Sequence, residues 1–180
     1  MYENGYDYHQ TVQIMMDRLN SVFPDADFFV FNDTGASCIV FGDKKNPDKL
    51  YKVYRPDLPQ ASRISLEEYQ KGKRFYDQGE GLGPDMYDLF EGMPPILVME
   101  KIEGGFAFKE QIINARNDLF DVFFRLKLVP GDVEFLWDEK NHRIRVIDVF
   151  SLTDRSDLDT HLLAKLINME LDSIIRTDGR

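Results

Sequence analysis

Cysteine is nearly absent from the sequence. Cys38 stands alone, which excludes an internal disulfide and any paired-cysteine metal site. Histidine is scarce as well, and His9, His142 and His161 lie far apart without the spacing of metal ligands. Positive charge is outnumbered: 22 Lys and Arg face 32 Asp and Glu, for a formal net charge of −10. A polyanion is bound by clustered cations that release its counterions, so nucleic acid is not an expected partner, and a protein with a basic surface is. A nucleotide phosphate would need local positive charge or a divalent metal. No apolar run approaches the roughly 18 residues of a membrane span, and MYENGYDYHQ lacks the basic-then-apolar pattern of a signal peptide. The sequence therefore predicts a cytoplasmic protein with no membrane partner, or one delivered, as an effector is, to a host cytoplasm by a route the sequence does not reveal.

What is present is enough for a sizeable core. The chain has 180 residues, 43% of them hydrophobic, and reads as one domain with two lobes. Val12, Met15, Met16, Leu19, Val22 and Phe23 recur at helical spacing up to Pro24, so residues 1–24 are expected to carry an N-terminal packing helix. From Asp27 the period shortens: FFVFN, CIVFG and KLYKVYR predict three strands of a meander, joined by DTGAS and DKKNPD. Ser62 or Ser65 can cap a helix that runs to about Gln78 and stops at GEGLGPD. MYDLFEG and ILVMEKI add two strands, which makes five in an upper lobe over 25–103, and Gly104-Gly105 marks the expected break. A lower lobe over 104–180 follows: a helix through Ile112, Ala115, Leu119, Val122, Phe123 and Leu126, a hairpin, and a last helix expected to start at Ser156 and Asp157. That last helix is expected to turn Leu158, Leu162, Leu163, Leu166, Ile167, Leu171, Ile174 and Ile175 inward.

Three charged positions draw notice on their own terms. Lys52 sits inside an apolar strand, where alternation puts Tyr51 and Val53 on one face and Leu50, Lys52 and Tyr54 on the other, so it either faces water or is buried and paired. Asp132 and Asp148 stand at the two feet of the hairpin in LVPGDVEFLWDEKNHRIRVIDVF. Such an order of elements, with a glycine-containing turn, an interior lysine, a helix glutamate and two aspartates, suits nucleotide binding.

Here the sequence resembles the protein-kinase-like family. ILVMEKIEGG is similar to the fifth strand and hinge, which implies Met99 as gatekeeper and backbone groups of Glu100 to Ile102 at the adenine edge. FNDTGASCIVFG resembles the glycine-rich loop, with Gly35 at the middle glycine, Val40 as the valine over the base, and Asp33 and Cys38 where the outer glycines would be. The resemblance implies that Lys52 holds phosphates and pairs with Glu68, which shares a helical face with Ile64, Gly72 and Phe75; Glu67 is the alternative partner. It implies Asp132 as the base that accepts the acceptor's proton and Asp148 as the Mg²⁺ ligand, with Glu134 or Asp138 as a second one.

The departures are specific. Pro130 replaces the triplet histidine, Trp137 stands at the family's asparagine, the loop is about three residues short, and Val149-Phe150 replace Phe-Gly. The fold expected is α+β and two-lobed, with a five-stranded antiparallel sheet above and a reduced helical lobe below. The resemblance implies an ATP- and Mg²⁺-dependent phosphotransferase, a minimal Ser/Thr protein kinase similar in scale to compact kinases of bacterial effectors and phages. The alternatives are a pseudokinase-like module that binds a partner without transfer, and third a small-molecule kinase. The expectation is that Lys52 from above and the two aspartates from below meet in one cleft.

Overall fold

The computed structural model describes residues 8–131 and 133–177. They divide into two compact units, residues 1–70 with 86–101 and residues 71–85 with 102–180. Helix α2 therefore begins in the first unit and ends in the second.

The first unit is built on a five-stranded antiparallel sheet in the order β1-β2-β3-β5-β4, made of β1 (Phe28–Asn32), β2 (Cys38–Asp43), β3 (Asn46–Tyr54), β4 (Met86–Phe90) and β5 (Ile96–Glu100). The five strands fall on the aromatic and β-branched runs of the sequence, except that β3 starts earlier than expected, at Asn46 inside DKKNPD, which the sequence predicts to be a turn. Alternation sorts their side chains. Ile39, Phe41, Tyr51, Val53, Ile96 and Val98 point to one face, where they bury Met15 and Leu19 of α1 (Tyr8–Val22). Each such buried side chain contributes roughly 1.5–3 kcal/mol. Phe23 closes the end of this core edge-to-face on Phe28, Tyr51 and Phe90. The N-terminal helix is thus an integral layer of the upper sheet.

Helix α2 (Ala61–Gln78) does not start on a serine cap. Ser62 and Ser65 lie inside its first turns, and the buried Ser65 hydroxyl donates to the Ser62 carbonyl, while Gln60, at φ 62°, makes the entry turn. It ends where expected: the Gly81 N–H donates to the Tyr76 carbonyl with Glu80 and Gly81 both left-handed.

In the second unit, β6 (Gly104–Phe106), β8 (Glu134–Asp138) and β9 (Arg143–Ile147) form one sheet, and β7 (Leu128–Val129) pairs with β10 (Thr153–Asp154). Gly104-Gly105 opens a strand, just beyond the division of the two units between Lys101 and Ile102. Gly104 comes so close to β8 that a Cβ would overlap the Trp137 carbonyl oxygen, so glycine serves contact here and not looseness. Helices α3 (Lys109–Leu126) and α4 (Thr160–Thr177) pack through Ile112, Leu119, Phe123 and Leu126 on one side and Leu163, Ile167, Leu171 and Ile174 on the other. Arg116 of α3 ties them by donating to Asp172 and Asn168. Helix α4 starts later than expected because Asp159, not Ser156 or Asp157, accepts the N–H groups of His161 and Leu162. The buried stripe of α4 runs through Leu163, Ile167, Leu171 and Ile174, which leaves Leu162 exposed rather than inward.

Candidate functional site

The ladder of the first unit places Lys52 directly opposite Val40 on β2 and Leu97 on β5, and Leu50 opposite Gly42 and Met99. Cross-strand partners share a face, so Val40, Leu50, Lys52, Leu97 and Met99 form one patch on the side of the sheet away from α1. Phe29 lies over Gly42 on the same side, its ring where a Cβ of Gly42 would be.

Lys52 is partly buried and paired, close to the second of the two alternatives its position allowed. Its Nζ donates to Glu68 Oε1 at 2.7 Å, with side-chain exposures of 16% and 5%. Glu68, not Glu67, is the partner; Glu67 pairs instead with Arg63 on the exposed side of α2. The other Glu68 oxygen accepts the Tyr54 hydroxyl, and Lys52 lies 5.9 Å from the Tyr54 ring centre. Two donors on one buried carboxylate fix its orientation, and the carboxylate in turn fixes the ammonium. Tyr54 was not singled out as a site residue, though its place on the Lys52 face was legible from alternation.

The loop over residues 33–37 holds Gly35 between anchored neighbours. Asp33, an adverse charge for a phosphate loop, accepts the Tyr8 hydroxyl at 2.6 Å, which pushes the phenol's pKa up. Beyond β5, the Lys101 N–H donates to the Asp48 carbonyl and its ammonium lies 5.6 Å from the centre of the Phe31 ring. Glu100 is paired in the ladder with Lys49, and Ile102 opens the later of the two segments of the second unit.

In the second unit, Asp148 follows β9 in a left-handed conformation (φ 58°, ψ 49°), exposed, with its carbonyl accepting the Ser151 N–H of the 3-10 turn Val149–Ser151. Left-handed backbone is uncommon outside glycine and tolerated best by Asp and Asn. The β8–β9 register sets Glu134 opposite Ile147, one residue from Asp148. Asp132 lies outside the described residues. Its neighbour Gly131 abuts the same turn, since a Cβ there would stand 2.9 Å from the Ser151 carbonyl oxygen. The pairing of β7 with β10 accounts for this approach.

Asp138 cannot serve as the second metal ligand. It is 3% exposed at the far end of β8, where its carboxylate accepts Arg145 Nη1 at 2.9 Å and both the N–H and side chain of Asn141. Burial pushes its pKa up, but the bonds from Asn141 and Arg145 outweigh burial and hold it below the ordinary carboxylate value. Trp137 lies within β8 and lines a hollow of about 730 Å³ with Leu119, Val122 and Arg143, so it does not stand in for a loop asparagine. Glu134, the other expected candidate for a second ligand, is exposed at the start of β8. Among the described residues no three His, Cys, Asp or Glu gather as a metal cage. Glu134 on β8 and Asp148 just after β9 are both exposed carboxylates, the kind of ligand Mg²⁺ takes one or two of together with water and phosphate oxygens.

No protein-family model matches the sequence, and no curated protein matches it. Among solved structures the chain superposes on the ADP/Mg²⁺-phosphoaspartate complex of the Rio2 kinase from Chaetomium thermophilum, with a TM-score of 0.58 and 15% identity over 98% of this chain. The fold is protein-kinase-like. The protein-kinase-like chain spans 65% of that kinase's length. An aminoglycoside phosphotransferase from Streptomyces rimosus matches at TM-score 0.44 and 19% identity, over 68% of this chain and 44% of its own. The GDP complex of an aminoglycoside 2′-phosphotransferase matches at 0.47 and 12%, over 65% and 41%.

Proposed function

We propose that this kinase-like chain is an ATP- and Mg²⁺-dependent phosphotransferase acting on a serine or threonine hydroxyl of a protein. The observation that carries the reading is the Lys52–Glu68 pair. A buried lysine costs free energy unless something holds it charged, and here a carboxylate clamped by Tyr54 holds it at the edge of the apolar patch of Val40, Leu50 and Met99. A fixed cation beside an apolar face meets the needs of a nucleotide's phosphates and base. In this reading Lys52 binds phosphate, the loop around Gly35 covers it, Val40 and Met99 flank the base, and the backbone of Glu100 to Ile102 meets its edge. Asp148 and Glu134 would hold Mg²⁺, which when bound neutralises phosphate charge. Asp132 would take the proton of the acceptor hydroxyl. The ADP and Mg²⁺ of the Rio2 complex support the choice of ligands. The net charge of −10 supports an acceptor protein with a basic surface.

A second reading, a binding module that engages a protein partner without transfer, is favoured by one observation: Asp33 and Cys38 occupy the loop's outer glycine positions. Incubation of the chain with terminally labelled ATP, Mg²⁺ and a cell extract separates the two. Transfer predicts acid-stable label on protein that is lost in Asp148→Ala and in Asp132→Ala, with nucleotide affinity kept in the latter. Labelling equal in wild type and Asp148→Ala, or none at all, contradicts the phosphotransferase.

A further inference from the structure

The β1–β2 loop has a single glycine, and glycine is what ordinarily frees such a loop to present its N–H groups to an anion. Side chains from outside residues 33–37 hold it instead. Asn32 Oδ1 accepts the Thr34 N–H at 2.9 Å and the Thr34 hydroxyl at 2.8 Å, which closes the first turn. The Tyr8 hydroxyl holds the Asp33 carboxylate. Arg55, the residue after β3, grips the other side twice: its N–H donates to the Ser37 carbonyl at 2.9 Å, and its Nη2 to the Gly35 carbonyl at 3.2 Å. Arg55 Nε is buried without a hydrogen-bond partner among the described residues. A donor left unsatisfied in this way is uncommon, and its retention calls for a use.

We infer that Arg55 is a positioning residue of the phosphate loop, fixing by hydrogen bonds and charge the shape that missing glycines would otherwise allow. The peptide group is planar and trans, so anchoring the Gly35 carbonyl also sets the direction of the Ala36 N–H on the opposite edge of the same unit. That N–H has no partner among the described residues. The guanidinium thus fixes an unbonded amide pointing away from itself and adds positive charge beneath the turn, where a phosphate gains from both. The adverse carboxylate of Asp33 is meanwhile held by Tyr8. The inference rests on the nucleotide reading for its ligand, but the tether itself does not.

The test compares wild type with Arg55→Met and with the milder Arg55→Lys, which keeps the charge and loses the fork. Amide hydrogen exchange over residues 33–37 is followed without ligand, and calorimetry measures affinity for Mg-ATP and for adenosine. In Arg55→Met the loop amides should exchange about tenfold faster and Mg-ATP bind about tenfold more weakly, as for loss of a charge-assisted bond, with adenosine affinity unchanged. Arg55→Lys should show the same loosened loop with an intermediate loss of ATP affinity. A folded Arg55→Met with wild-type exchange overturns the tether. Equal losses for ATP and adenosine overturn the assignment to phosphate. Wild type that binds neither ligand, together with a loop loosened in Arg55→Met, defeats the nucleotide reading and leaves the tether standing.

Discussion

Val40 and Lys52 stand directly opposite each other across the β2–β3 ladder, so the valine and the lysine occupy one row beside Leu97. Two residues that the sequence separates by a turn are thereby fixed by register alone. A slip of one residue would send Lys52 into the core in place of Tyr51 and Val53 and separate it from Glu68.

Glu68 is 3% exposed and depends on two donors. Lys52→Met should destabilise the chain by about 3 kcal/mol, the lower end for a broken buried pair, because Tyr54 still donates. Tyr54→Phe should cost about 1–2 kcal/mol. Urea unfolding measures both, and the double variant should lose more than the two losses added, since the carboxylate is then left with no donor.

Arg145 is 1% exposed, donating to Asp138 at 2.9 Å and to the Gly83 carbonyl at 2.7 Å. Arg145→Met should cost about 3–5 kcal/mol by stranding a buried carboxylate. Pairing it with Asp138→Leu should recover a large part of that loss. A single variant as stable as wild type would contradict the pair's place at the centre of the second unit.

Acid should act on the same unit. Asp138 has a folded pKa below its ordinary 3.8, and Asp154, held by the Ser156 hydroxyl and by Arg74, is pushed down to about 2. A depressed carboxylate stabilises fully above its unfolded pKa and loses that contribution as pH falls through the folded value. Stability should therefore decline from about pH 4 toward pH 2. Asp154 is 46% exposed and contributes little, so Asp138→Asn should flatten the profile more than Asp154→Asn does. Equal slopes in the three proteins would rule out this origin.

Legibility followed period. The strands, α1 and α3 came from alternation and helical spacing, and the Lys52–Glu68 pair came from a lysine in an apolar strand and a glutamate on the inner helix face. Helix starts were misplaced because several Ser and Asp residues compete near each one; only the structure shows Asp159 receiving the N–H groups. Gly104-Gly105 lies close to the division of the units, but nothing local reveals that it pairs with β8. Arg55 and Tyr8 escaped notice for a like reason: an isolated charge or phenol gains meaning only from the loop brought against it.

The central claim is that the Lys52–Glu68 pair belongs to a Mg-nucleotide site. Thermal denaturation with and without Mg-ATP tests it directly, each protein being referred to its own ligand-free Tm. The wild-type Tm should rise with Mg-ATP, and the Lys52→Met Tm should not. A rise of the same size in both proteins, or none in the wild type, would contradict the account.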